Sequence, residues 1–141
     1  HEEPAMIKPI MKSEFFLRLP SEDAGPDDAA TGQDLLDTLN EHEHECVGLA
    51  ANMIGVRKRI ICVKDGNRAL LMYNPQILEQ VNAYQTSEGC LSLIGERPCT
   101  RYRRIKVEYL DENFVHRIKN FSGYTAEIIQ HEIDHCCGIV I

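Results

Sequence analysis

The chain has 141 residues, 43% of them apolar, which is the length of one domain with enough apolar material for a core. A formal net charge of −7 argues against a partner held through nucleic-acid phosphates. No apolar run approaches the roughly 18 residues of a membrane-crossing helix, and no basic-then-apolar start marks a secretory leader. We therefore expect a single domain over residues 1–141, working in the cytoplasm with no membrane and no nucleic-acid partner. Residues 1–5, ahead of Met6, read as a remnant or a processed end.

In chain order, residues 7–19 form an arm carrying the apolar groups Ile10-Met11 and Phe15-Phe16-Leu17. Residues 20–31 are rich in Pro, Asp, Gly and Ala and predict a surface loop. Thr31 with Asp34 three residues on suggests a helix start. Leu35, Leu36 and Leu39 then give a helical stripe to about His44. His42 and His44, set among glutamates, read as a solvated helix end. Residues 60–63 predict a strand, turned by Asp65-Gly66 into a second over residues 69–73, which Asn74-Pro75 should end. Another strand is expected over residues 77–86. Ile105, Val107 and Tyr109 alternate with polar residues, so one face of that strand is buried. Asp111-Glu112-Asn113 predicts a turn and residues 114–121 a returning strand. Ser122 is placed to cap a final helix and Gly138 to end it. Ile128, Ile129, Ile133 and Cys136 lie along the apolar side of that helix.

The final helix carries the chemistry. His131-Glu132-Ile133-Asp134-His135 is an H-E-x-x-H sequence. Residues four apart on a helix share a face, so both imidazoles can reach one metal ion. Glu132 can approach a water activated there. A catalytic site of this type needs a third protein ligand and an open position. Cys136 and Cys137 are too near His135 along the helix to join it comfortably. The best candidate is Cys90, which follows Gly89 in Glu88-Gly89-Cys90-Leu91-Ser92, because a thiolate binds a divalent ion readily. The layout is then α+β, with antiparallel strands packed around a central metal-binding helix. Six cysteines allow disulfides, but a reduced protein with one ligating thiol and several buried ones fits better.

Three segments together resemble the peptide deformylase family: Gly48-Leu49-Ala50-Ala51-Asn52-Met53-Ile54-Gly55, Glu88-Gly89-Cys90-Leu91-Ser92 and Gln130-His131-Glu132-Ile133-Asp134-His135. They stand in the family's order, and the resemblance runs from about Met6 to the end. It implies Cys90, His131 and His135 as metal ligands, Glu132 as general base, and the Leu91 backbone N–H as a donor to the developing oxyanion. The substrates it implies are N-formylmethionyl peptides, met as nascent chains near the ribosome, with formate released. The implied cofactor is one divalent metal ion: Fe2+ in the cell, with Zn2+ or Ni2+ as substitutes. Gly48, Leu49, Met53, Gly89 and Ile128 fall on the substrate side, with Ile128 either a pocket residue or plain core.

The first segment departs from the family pattern twice. Met53 stands where the family has a glutamine whose amide helps to bind the formyl oxygen, and Cys46 stands where glycine is common. A thioether has no N–H to donate, so reduced activity is expected. Two other readings weigh against an active deformylase: a metal- and peptide-binding homologue without turnover, and another kind of HExxH peptidase. Arg101 is expected either to pair with Glu88 or to be solvated, and Asp134 either to orient the helix or to sit at its surface.

Overall fold

The computed structural model describes residues 7–141, so the expectations for residues 1–5 and Met6 lie outside the described residues. Among the described residues there are three α-helices, α1 (Glu14–Leu17), α2 (Ala29–Glu41) and α3 (Gly123–Cys136), and five strands, β1 (Gly48–Ala50), β2 (Ile60–Asp65), β3 (Arg68–Glu88), β4 (Arg97–Leu110) and β5 (His116–Ser122). The strands form one antiparallel meander in the order β1-β2-β3-β4-β5. Helix α3 packs against β1, β2 and β4, and α2 against β2. Leu35 and Leu39 from α2, Ile60, Ile61 and Val63 from β2 and Ile129 from α3 are almost wholly buried between them. Each such aliphatic side chain contributes about 1.5–3 kcal/mol on leaving water. The architecture is α+β, as the patterning predicts.

Several boundaries differ from the sequence reading, each for a local reason. The segment expected as loop over residues 20–31 contains a 3-10 turn at Pro26–Asp28, and α2 begins at Ala29. Thr31 therefore lies inside the helix, and Asp28 instead accepts from the Gly25 N–H at 2.9 Å. Ser122 sits at the N-cap of α3, but its side chain makes no capping hydrogen bond. Phe114 belongs to the turn, with φ of 59° and its ring stacked on Tyr73 at 4.2 Å, so β5 starts at His116.

The main correction concerns Asn74-Pro75. The dipeptide does not end a strand, because β3 runs through it for 21 residues. The ladder with β4 shifts register between Tyr73/Gln76 and Ile77/Glu79. Proline has no N–H to give a ladder and is tolerated at such a bulge. Asn74 takes the left-handed conformation there (φ 53°) and is fastened by its side chain to the Ala24 N–H and C=O at 2.7 and 2.9 Å. The strand continues beyond the bulge to Glu88, so the β3–β4 hairpin carries its tip, residues 89–96, to α3.

Candidate metal and active site

Helix α3 presents its polar residues inward, which is unusual for a helix packed on a sheet. Gln130, His131, Glu132 and His135 are all buried. The ligand atoms of His131, Glu132 and His135 lie within 4.8 Å of one another. The two imidazoles face each other through Nε2 at 3.0 Å. Nδ1 of His131 lies 2.8 Å from Glu88 Oε1, at the end of β3. With Nδ1–H donating to that carboxylate, Nε2 of His131 is left as a lone-pair donor.

Glu88 is itself held. Arg101 on β4 donates to both carboxylate oxygens at 2.8–3.1 Å, and its other terminal nitrogen donates to Asp134 on α3 at 2.7 Å. Arg101 is only 4% exposed, so of its two expected states the paired one is realised, and Asp134 is its second anchor. Burial disfavours the Glu88 charge, but hydrogen bonds from His131 and Arg101 outweigh it and hold this carboxyl well below the usual range. Arg101 is pushed up in turn: burial opposes its charge, and bonds to Glu88 and Asp134 prevail.

Glu132 has a different environment. Burial pushes it up to about 7, with the His131 charge working against that rise and the Glu88 charge adding to it. Its Oε1 has no hydrogen-bond partner among the described residues. A carboxyl balanced near neutrality, with Oε1 unpartnered among the described residues, is suited to taking a proton and returning it. His135 is pushed down to about 3, first by burial and then by the neighbouring His131 charge, so it is a neutral imidazole. Its Nδ1 likewise has no partner among the described residues. Two facing imidazoles and a buried carboxylate, with unpaired polar atoms among them, are a donor set that fits a divalent cation.

His131 and Glu132 open into a cavity of about 620 Å3. Gly48, Met53, Gly89, Cys90, Leu91 and Ile128 line it together with His131 and Glu132. Cys90, on the hairpin tip, thus shares the cavity wall with His131 and Glu132, although it is not a member of the close donor group of α3, and His135 is buried behind that wall and does not line it. Leu49 is buried in the core beneath the cavity and does not line it. A Cβ on Gly48 would lie 2.7 Å from Ile128 Cγ2 and 2.9 Å from Glu132 Oε2, so only glycine lets β1 pass so near the carboxylate. One on Gly89 would meet the Gly95 carbonyl at 3.0 Å. The Cys46 thiol also lines the cavity and is pushed up to about 12, by burial first and then by the Glu132 charge.

Met53 lies in a 3-10 turn, Ala51–Ile54, and is 1% exposed. Its Sδ is 3.5 Å from the Ala50 N–H, where it can only accept. The neighbouring amide of Asn52 points to α3, where its Nδ2 donates to the His135 carbonyl at 2.8 Å. From the N-terminal arm, Lys12 Nζ donates to the Leu91 carbonyl at 2.5 Å and so braces the Cys90 segment. Sequence patterning reveals neither contact, since each joins residues distant in the chain. All six cysteines are free, in keeping with the reduced reading.

A family model described as Polypeptide deformylase matches residues 10–141. The chain belongs to the polypeptide deformylase family. A peptide deformylase of Clostridium beijerinckii is 52% identical over 136 residues, covering 96% of this chain and 100% of that relative. Two crystal structures of a class I type b peptide deformylase from Acinetobacter baumannii superpose with a TM-score of 0.85. One, bound to actinonin, is 30% identical and covers 96% of this chain and 95% of its own. The other, bound to Met-Ala-Ser, is 29% identical and covers 95% and 96%. The chain is accordingly a metal-dependent hydrolase acting on peptides that begin with formylmethionine, and it has a divalent metal as cofactor. Family membership sets aside the reading as another kind of HExxH peptidase.

Proposed function

We propose that Cys90, His131 and His135 hold the divalent ion of this deformylase and that Glu132 is its general base. One observation carries the reading: the buried, unpartnered Glu132 carboxyl stands beside two facing imidazoles, on the wall of a cavity that Cys90 shares. When bound, the ion supplies Lewis-acid polarisation of water and of the formyl carbonyl. Glu132 takes a proton from water, and the resulting hydroxide oxygen bonds to the formyl carbon. The C–N bond then breaks, and the proton passes from Glu132 to the departing nitrogen, giving formate and a free amine. The Leu91 N–H faces the developing oxyanion. Gly48, Gly89 and Ile128 shape the space beside it.

Met53 supplies no donor to that oxyanion, so turnover is slower than a glutamine at this position would allow. Thiolate with two imidazoles suits iron or zinc, and we assign Fe2+ in the cell, with Zn2+ or Ni2+ able to substitute. The substrates are newly made chains met near the ribosome in the cytoplasm. Metal analysis tests the ligand set. Cys90→Ala, His131→Ala and His135→Ala should each lose stoichiometric metal, and a fully loaded Cys90→Ala protein would remove Cys90 from the set.

A further inference from the structure

We propose that Asn52 is a positioning residue for the metal ligand His135, acting through that residue's backbone. The proposal rests on the ligand reading above. The two histidines of α3 are held in different ways. His131 has its ring fixed by Glu88 at Nδ1. Metal-binding histidines ordinarily give their second ring nitrogen such a partner. His135 does not, for its Nδ1 has no hydrogen-bond partner among the described residues. Its orientation therefore depends on packing and on where the end of α3 is held.

That end is held by Asn52. The His135 carbonyl accepts from Gly138 N at 3.0 Å, within the helix terminus, and from Asn52 Nδ2 at 2.8 Å, across 83 residues of sequence. Asn52 is 1% exposed and sits in the turn that follows β1. The turn is itself anchored, since Met53 O accepts from Met11 N at 2.7 Å. The last turn of α3, which carries His135, is thus tied to the cavity wall that carries Met53. Asn52 makes this bond while its own Oδ1 stays buried without a partner among the described residues. A buried amide with one unsatisfied end is a poor choice for stability alone, because an apolar side chain of similar size would leave nothing unpaired. Its placement is explained by what its other end holds.

The test measures Zn2+ affinity by chelator competition in Asn52→Leu and Asn52→Asp, with the visible absorption of the Co2+-loaded proteins. The melting temperature of each metal-free protein is taken alongside. Asn52→Leu should bind Zn2+ roughly ten- to a hundredfold more weakly, the usual scale for a residue behind a ligand. Its Co2+ bands should shift while its metal-free melting temperature is kept or raised. An affinity within threefold of the parent with unchanged Co2+ bands would overturn the proposal. His135→Ala is the control for the ligand reading: if it retains metal, that reading fails whatever the Asn52 variants do. A measurement on the unaltered protein needs no variant to fold. The Asn52 side-chain amide 15N resonance should move on Zn2+ loading, and an unmoved resonance would count against the proposal equally.

Discussion

Glu88 Oε1 and His131 Nδ1 meet at 2.8 Å across the interface of the β3–β4 hairpin and α3, and Arg101 donates to the same oxygen at 2.8 Å. The contact sets which imidazole nitrogen is free. Glu88→Gln keeps the shape but replaces the charge, and Asn-like amides present either a donor or an acceptor to Nδ1. We expect metal affinity to fall roughly 10- to 100-fold, as for other partners of ligating histidines. Chelator competition on Glu88→Gln measures it, and affinity equal to the parent's would show that the contact does not orient the ring.

Glu132→Gln separates a base from a ligand. The amide keeps the volume beside Gly48 but cannot take a proton. Metal content should stay at the parent level while kcat falls by at least about 100-fold, the scale of an acid–base group. Loss of metal in this variant would move Glu132 into the ligand set.

Met53→Gln should raise kcat/KM for a formylmethionyl peptide by about 10-fold or more, given the size of oxyanion-donor effects. The buried 3-10 turn already fixes the position, and Asn52, the nearest amide, is committed to His135. The assay compares both proteins at equal metal loading. Unchanged activity would mean that another group already provides the donor.

Charge in the cavity predicts a preference among peptides. Glu43, Glu45, Glu88, Glu96, Glu127 and Glu132 line it, and neither lysine nor arginine is among its lining residues. Glu127 is pushed up to about 7, chiefly by a hydrogen bond shared with Glu88 and then by burial, Glu132 is pushed up to about 7 as well, and Glu88 is paired with Arg101, so the exposed Glu43, Glu45 and Glu96 carry the standing charge. The remaining field still favours cations. Formyl-Met-Lys peptides should show higher kcat/KM than formyl-Met-Glu peptides, and the gap should narrow as salt screens exposed charges. Equal rates at low salt would contradict this.

The sequence by itself determined the chemistry of α3. An i, i+4 pair of histidines with glutamate between is a local pattern, and 3.6-residue periodicity alone puts both imidazoles on one face. The α+β class and the β2–β3 turn at Asp65-Gly66 were legible for the same reason, since strand alternation and turn residues act over a few positions. Asn74-Pro75 misled because a missing N–H tells of a break in a ladder without telling whether the strand stops or bulges. That was decided by Ala24, 50 residues away, whose backbone groups fasten the Asn74 side chain. Tertiary structure alone decided that Arg101 joins Glu88 to Asp134, that Glu88 reaches His131, and that Asn52 faces His135 and not the cavity. Each of these is a directional hydrogen bond between distant segments. Its partner is chosen by how the β3–β4 hairpin and the turn after β1 pack on α3, and no periodicity within either segment records that choice.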